Sequence, residues 1–174
     1  IFMEEISDSI YKILNVDPDY EISVINITKI LGHENKLNKL VNLDAMYYCA
    51  SEKNVNEKIR SDTKYKLIKG NCANIELVTN ILEEYNINHV IHFAAQSHVQ
   101  NSFTDSLQYT KDNILGTHIL LECCRKYNKI KRFIHVSTDE VYGESMLNIN
   151  EQSKTEQSIL CPTNPYAATK AGAE

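Results

Sequence analysis

Residues 132–140 read RFIHVSTDE, an apolar run that passes directly into the triplet Thr138-Asp139-Glu140. Runs of this kind, bounded by polar residues, are typical of strands buried on both faces of a parallel sheet. Such a strand delivers its carboxyl end to the ligand crevice of an α/β protein. A hydroxyl and two carboxylates are costly to place there unless they act on a ligand, although Ser, Thr and Asp are also good helix N-caps. The stretch therefore predicts a buried strand, residues 132–137, that ends at a candidate site.

Similar apolar runs occur at residues 40–44 (LVNLD), 65–68 (YKLI) and 89–95 (HVIHFAA). Helical patterns lie between the runs, at about 74–85 and about 104–127. Because strands that alternate with helices form crossover units, the order of the patterns predicts a parallel sheet and an α/β fold.

Each helical pattern predicts one buried face. The first face holds Ile75, Val78, Ile81 and Leu82, which recur at helical spacing. The second face holds Ile114, His118, Leu121 and either Cys124 or Arg125.

Residues 1–37 fit the α/β pattern poorly and stay unassigned, so the predicted domain covers residues 38–174. Within the unassigned segment, residues 3–14 favour an amphipathic helix and residues 17–19 a turn. Residues 21–31 are compatible with either a strand or a helix. The polar stretch 148–158 is typical of a surface loop.

Composition narrows the function classes. The chain has 174 residues, which is about one domain, and a net charge of -5, which argues against a nucleic-acid-binding surface. Its five cysteines form no C-x-x-C pair, and His89 and His92 would point to opposite faces of a strand, so no metal site is expected. No apolar run is long enough to span a membrane, and no signal peptide opens the chain, so we expect a cytoplasmic protein.

Tyr166 and Lys170 are four residues apart after Asn164-Pro165, and Pro favours the first turn of a helix. The two side chains therefore share a helical face. A lysine ammonium beside a tyrosine favours the phenolate and lowers the pKa of the phenol, so Tyr166 could take a proton from a hydroxyl. An exposed helical pair without a function is the alternative, because Y-x-x-x-K is common by chance.

Two more strand ends carry candidate ligand contacts. In residues 92–99 (HFAAQSHV), the small side chains of Ala94 and Ala95 would let a ligand approach the backbone, or would permit tight packing of a strand on a helix. Asp44 ends the run at residues 40–44. A carboxylate at that place can bind both hydroxyls of an adenine ribose, although a strand-end Asp is commonly a turn residue.

Taken together, these residues resemble the extended short-chain dehydrogenases, and within them the nucleotide-sugar 4,6-dehydratases that act on dTDP-glucose or UDP-glucose. The resemblance spans residues 40–174. The motifs that carry it are LD at 43–44, YCAS at 48–51, HFAAQSHV at 92–99, Asn113 with Gly116-Thr117, HVSTDEVYGE at 135–144 and PTNPYAATKAGAE at 162–174. Thr138-Asp139-Glu140 is the specific part, since epimerases of the superfamily usually have other residues in the two carboxylate places.

The resemblance implies a Rossmann-type doubly wound parallel sheet, NAD as cofactor, a nucleotide-sugar substrate and a homodimer. It implies that Tyr166 takes the proton of the sugar 4-hydroxyl, that Lys170 assists it and holds the nicotinamide ribose, and that Thr138 binds near O4. Glu140 would remove the C5 proton and Asp139 would protonate the departing 6-hydroxyl. Further cofactor contacts would be Asp44, Asn71, Cys72, Phe93, Ala94, Ala95, Gln96 and Asp112, and Ser97 would contact the substrate.

The chain also departs from the family pattern. None of its five glycines forms the G-x-x-G-x-x-G phosphate loop, and the family's C-terminal substrate lobe is absent. Asn71 stands where the family usually has Asp, and Asp112 where it usually has Thr. The sheet is therefore expected to be incomplete and the chain alone to be inactive. A 4-epimerase or decarboxylase of the same superfamily, or a non-catalytic relative, are the alternatives, and the choice between dTDP and UDP stays open.

Overall fold

The computed structural model describes residues 39–145 and 153–174. The chain divides into two compact units, residues 1–69 and 70–174. The patterns at residues 3–14, 17–19 and 21–31 lie outside the described residues, as does part of the loop expected at 148–158.

In the first unit, two parallel strands form a small sheet. They are β1 (Leu40–Asp44) and β2 (Tyr65–Lys69), paired from Leu40↔Tyr65 to Asp44↔Lys69. A 3-10 helix (Glu52–Asn54) and the short helix α1 (Glu57–Arg60) connect them. The strands predicted at 40–44 and 65–68 are confirmed, and Asn42 Nδ2 donates a hydrogen bond to the Tyr65 hydroxyl across the pair at 3.0 Å.

The second unit contains the other two strands, which are again parallel, paired from His89↔Arg132 to His92↔His135. Both end earlier than predicted, at His92 and His135, so the residues that follow them lie in loops. The elements in order are α2 (Ile75–Glu84), β3 (His89–His92), α3 (Val99–Thr104), α4 (Ser106–Tyr109), a π-helix (Thr110–Leu115), α5 (Gly116–Tyr127), β4 (Arg132–His135), a 3-10 helix (Asp139–Tyr142) and α6 (Pro165–Ala171).

Helix α2 confirms the first helical pattern at nearly its full length. The Asn74 side chain caps it by accepting a hydrogen bond from the Leu77 amide at 3.0 Å. Val78, Ile81 and Leu82 are buried as predicted. The prediction for Ile75 is wrong, since this residue is exposed; it opens the helix, a turn ahead of the buried segment.

The second helical pattern is interrupted where the sequence predicted a continuous helix. A break at Asp105 separates α3 from α4, and six residues of π-helix precede α5. The predicted face is correct only in part, because Cys124 is buried whereas His118 and Leu121 are exposed. Hydropathy missed the true face because two of its residues are polar, and the wide π-turn shifts the helical phase. The buried residues are Asn113, Gly116, Thr117, Leu120, Cys123 and Cys124.

His92 is buried between β4 and α5. Its Nε2 shares a hydrogen bond with Thr117 Oγ1 at 2.9 Å, and its ring centroid lies 5.4 Å from that of His135. Burial lowers the pKa of His92 to about 4, with smaller contributions from His135 and Lys170. His89 instead contacts Asn88, and no three His, Cys, Asp or Glu side chains converge on a metal-sized site within the described residues. Nor does this part of the chain contain a helix with the length and apolar character needed to cross a membrane.

The lowered pKa of His92 predicts that the folded protein becomes less stable in acid. Its pKa in the folded protein, about 4, lies below the ordinary value of 6.5, so the unfolded chain binds more protons between these pH values. The free energy of unfolding should therefore fall as the pH drops from about 6.5 towards 4, by up to about 3 kcal/mol. Urea unfolding across this range should show a smaller fall for His92→Gln. The exposed His118→Gln is the control, and equal slopes for the parent and His92→Gln would contradict the assignment.

Candidate active site

Three segments of the second unit carry the predicted site residues. They are the loop after β3, the segment after β4 and helix α6. In a parallel pair, the carboxyl ends of both strands lie at the same edge, so side chains that follow them are brought together. The amide of Val136 donates to the carbonyl of His92 at 3.1 Å, which continues the pairing up to the point where the site begins.

Thr138-Asp139-Glu140 follows β4 as predicted and also forms a helix cap. Thr138 Oγ1 accepts a hydrogen bond from the Glu140 amide at 3.3 Å and caps the 3-10 helix that Asp139 opens. The same hydroxyl donates to Asp139 Oδ1 at 3.4 Å. Thr138 and Glu140 are half-buried and Asp139 is exposed. The interpretation of Thr138 as a helix cap is therefore correct. The cap orients the triplet and does not use all the oxygens of the two carboxylates.

Helix α6 confirms the predicted placement of Tyr166 and Lys170. Asn164 caps the helix by accepting from the Ala167 amide at 2.8 Å, and Pro165 occupies the first turn. Tyr166 is only 9% exposed and Lys170 4%, so the pair is not an exposed helical pair. Lys170 Nζ donates to the carbonyl oxygen of Val136, which ties the helix to the segment after β4.

The predicted effect of Lys170 on Tyr166 is wrong in this structure. Burial raises the pKa of Tyr166, and the carboxylates of Glu140 and Asp139 add to the increase, while a hydrogen bond with Thr138 opposes it. Lys170 does not contribute to the pKa of Tyr166 here, and its ammonium donates to the carbonyl oxygen of Val136. Burial also lowers the pKa of Lys170. Tyr166 therefore keeps its proton in the free chain.

Asn113, to which the sequence analysis assigned no role, connects the first loop to helix α6. This residue is 1% exposed. Its Oδ1 accepts from the Gln96 amide at 2.7 Å, and its Nδ2 donates to the Gln96 carbonyl and to Thr169 Oγ1, both at 2.9 Å. Thr169 Oγ1 in turn donates to the Tyr166 carbonyl at 2.7 Å. A polar residue on the inner side of a predicted helix is the signal that could have revealed it.

The loop after β3 presents its side chains in two ways. Phe93, Ala94 and Ser97 are exposed, so they can meet a ligand. Ala95 and Gln96 are half-buried, and Gln96 Nε2 donates to Asp112 Oδ2 at 3.0 Å. The loop is thus fixed through Gln96 while its small and aromatic side chains remain open.

The other predicted cofactor contacts lie around this loop or in the first unit. Cys72 is half-buried, and burial, with a smaller contribution from Asp112, raises the pKa of its thiol. Asn71 Oδ1 accepts from the Ala73 amide at 2.8 Å. Asp44 belongs to the first unit, where its Oδ1 accepts from the Met46 amide at 2.7 Å, as a turn residue would.

The chain is similar in sequence to known proteins. The family model described as GDP-mannose 4,6 dehydratase matches residues 26–174. The chain is 51% identical over 136 residues, 78% of its length, to a trifunctional UDP-glucose 4,6-dehydratase/UDP-4-keto-6-deoxy-D-glucose 3,5-epimerase/UDP-4-keto-L-rhamnose-reductase of Arabidopsis thaliana. It is 48% identical over 146 residues, 80% of its length, to dTDP-D-glucose 4,6-dehydratase of Dictyostelium discoideum. It spans only 20% and 33% of these relatives' lengths.

A solved structure agrees with the sequence relatives. The dTDP-glucose 4,6-dehydratase DesIV of Streptomyces venezuelae, determined with NAD and TYD bound, matches with a TM-score of 0.72 and 34% identity. The match covers 80% of this chain and 41% of that one. The fold is therefore a Rossmann-type α/β fold, of which this chain holds a part.

Asn113→Ala should destabilise the protein more than the small loss of side-chain volume suggests. The change leaves the half-buried amide and carbonyl of Gln96 and the buried hydroxyl of Thr169 without this partner, and each unsatisfied buried group costs roughly 1–3 kcal/mol. We expect the free energy of unfolding to fall by about 2–5 kcal/mol in urea titrations. Asn101→Ala, on the exposed side of α3, is the matched control and should change stability by less than about 0.5 kcal/mol. Similar changes in the free energy of unfolding for both variants would show that Asn113 does not stabilise the protein through these hydrogen bonds.

Proposed function

Because the chain belongs to the GDP-mannose 4,6-dehydratase family, we propose that the protein is a nucleotide-sugar 4,6-dehydratase that converts dTDP-glucose or UDP-glucose to the 4-keto-6-deoxy sugar. The segment that holds Thr138, Asp139 and Glu140 is joined to the helix of Tyr166 by hydrogen bonds, from Asn164 to Glu140 and from Lys170 to the Val136 carbonyl, and this juxtaposition carries the proposal. The reaction needs a base at O4, a base at C5 and an acid at the 6-hydroxyl. One phenol and two carboxylates beside it supply these three groups.

The residues fit NAD at its nicotinamide end. In the described part of the chain, the buried ammonium of Lys170 makes one hydrogen bond, to Val136, so two of its protons remain for ribose hydroxyls. Phe93 and Ala94 are exposed beside the fixed Gln96 and would line the ring. NAD supplies the acceptor for the hydride that leaves C4 and returns to C6. Asp44, Asn71, Cys72, Ala95 and Asp112 are proposed contacts for the rest of the cofactor.

Tyr166 acts as the base for the 4-hydroxyl. In the free chain its raised pKa keeps the phenol protonated. A cation bound beside it lowers that pKa, so binding of the cofactor prepares the base. Thr138, already hydrogen-bonded to the phenol, holds the O4 oxygen in the line of proton transfer, and Ser97 contacts the sugar from the opposite loop.

Glu140 and Asp139 divide the elimination of water between them. The 4-ketone acidifies the proton on C5, which Glu140 removes. Asp139 gives its proton to the departing 6-hydroxyl, and the exposed position of this side chain leaves room for the released water. The proton held by Glu140 returns to C5 when the hydride reaches C6, so the carbon skeleton leaves as the 4-keto-6-deoxy sugar.

We also propose an oligomeric state and a cellular location for the protein. We assign residues 38–174 to the NAD-binding domain and place the protein in the cytoplasm, with nucleotide sugars and no nucleic acid as partners. A homodimer would cover the exposed apolar side chains of Phe103, Leu107, Leu115 and Leu121, which project from consecutive helical elements.

Products identify the reaction. The full-length protein, incubated with dTDP-glucose and with UDP-glucose, should release a 4-keto-6-deoxy sugar nucleotide, lighter than the substrate by one water in mass spectra. Tyr166→Phe should retain the fold and lower turnover roughly 10²–10⁴-fold, because it removes the base. A product of unchanged mass would indicate an epimerase, loss of carbon dioxide a decarboxylase, and no product from either sugar a non-catalytic relative.

The carboxylates should affect the second half of the reaction alone. In Glu140→Gln and Asp139→Asn, oxidation at C4 can proceed while loss of water is slowed. The bound cofactor should then accumulate in its reduced form, visible by its absorbance when sugar nucleotide is added. If both variants eliminate water at the parent rate, the two carboxylates are structural and the proposed reaction is wrong.

A further inference from the structure

Asn164 makes two hydrogen bonds in different directions. Its Oδ1 accepts from the Ala167 amide at 2.8 Å, which caps α6, the helix of Tyr166. Its Nδ2 donates to Glu140 Oε2, also at 2.8 Å. One amide group thus fixes the start of the tyrosine helix and a carboxylate 24 residues away. A cap needs only the first of these bonds, so the second requires its own explanation.

The segments on either side of this bond are held close together. The Cys161 amide donates to the carbonyl of Val141, a fully buried residue, at 2.9 Å. Gly143 has a φ of +83°, and a Cβ atom there would lie 2.5 Å from the carbonyl oxygen of Cys161. Only glycine permits this approach without displacing backbone. The Asn164–Glu140 bond is therefore part of a fixed junction between two segments.

The bond engages only one of the two carboxylate oxygens of Glu140. Oε2 is held by the Asn164 amide, whereas Oε1 has no hydrogen bond within residues 39–145 and 153–174. A carboxylate that is tethered through one oxygen keeps a lone pair of the other in a constant direction. A proton-abstracting group gains from such fixation because misplacement by about 1 Å can lower the rate by two orders of magnitude.

We infer that Asn164 is a positioning residue for Glu140, holding its carboxylate at a fixed place relative to Tyr166 so that one bound sugar meets both bases. The inference rests on the proposed function. Asn164 touches neither the sugar nor the cofactor; it acts through Glu140. It couples the two halves of the reaction, because the helix that carries the C4 base also carries the tether of the C5 base.

Asn164→Ser separates the two roles, since Ser caps helices as well as Asn does but is too short to reach Glu140. Thermal unfolding should be unchanged. The loss of a hydrogen bond to a charged group should slow elimination about 10- to 100-fold. KM should change little, and the reduced cofactor should accumulate, because C4 oxidation is unaffected. Asn74→Ser, at the exposed cap of α2, is the matched control and should leave all three measurements at parent values.

Asn164→Asp supplies an independent readout. The new carboxylate keeps the cap but repels that of Glu140, and protonation of either one relieves the repulsion. The acidic limb of the pH–rate profile should therefore move to higher pH in this variant, and by a smaller amount in Asn164→Ser, which removes a donor without adding a charge.

The outcomes separate this inference from the proposed function. If the parent enzyme forms no 4-keto-6-deoxy product, both are overturned. If the parent forms it, and Asn164→Ser eliminates water at the parent rate without accumulation of reduced cofactor, the positioning role alone is overturned. Equal slowing of C4 oxidation and elimination in Asn164→Ser would also overturn it, because the effect would then reach Tyr166 and the whole helix.

Discussion

The amide of Asn113 lies in the interior of the second unit, where each of its polar atoms must find a partner. The geometry leaves little freedom: one oxygen and two hydrogens meet both backbone groups of Gln96 and the hydroxyl of Thr169. Because an unsatisfied buried donor or acceptor costs far more than a satisfied one contributes, this network permits only a narrow set of positions for the loop after β3 relative to α6. The exposed side chains of that loop and the buried face of the tyrosine helix are therefore held relative to one another by one side chain.

The remaining site residues depend on the strand ends. Backbone pairing between β3 and β4 stops at His92 and His135, and the two histidine rings face each other below the loops. Beyond this point, the chain turns at a capped 3-10 helix, so Thr138 and Glu140 are oriented by local hydrogen bonds and not by the sheet. The charge distribution follows from this placement. Burial and the charges of Glu140 and Asp139 raise the pKa of Tyr166, so the phenol keeps its proton in the free chain.

Apolar runs and helical spacing were sufficient to predict the four described strands and helix α2, and Asn164-Pro165 predicted the start of α6. They were insufficient for the long helix. Its inner face includes Asn113 and Thr117, whose burial depends on partners distant in sequence, and hydropathy assigns such residues to the surface. The four-residue spacing after Pro165 placed Tyr166 and Lys170 correctly on α6. The direction of the Tyr166 pKa was predicted wrongly, because burial and the charges of Glu140 and Asp139 raise this pKa, and both depend on tertiary packing that a sequence pattern does not contain. The hydrogen bond from Asn164 to Glu140 could not be predicted either, because a helix-cap motif does not indicate what the Nδ2 group of the capping residue contacts.

The π-helix between α4 and α5 makes the number of residues in this part of the chain a structural constraint. A turn closed by i→i+5 bonds holds about one residue more than an α-turn. Insertion of one more residue between Asn113 and Leu115 would exceed what this turn accommodates and would rotate Thr117 by about 100° relative to Asn113. Thr117 would then leave His92, or Asn113 would leave Gln96, and the helix could not satisfy both. Such an insertion would have to be matched by a new set of buried polar partners.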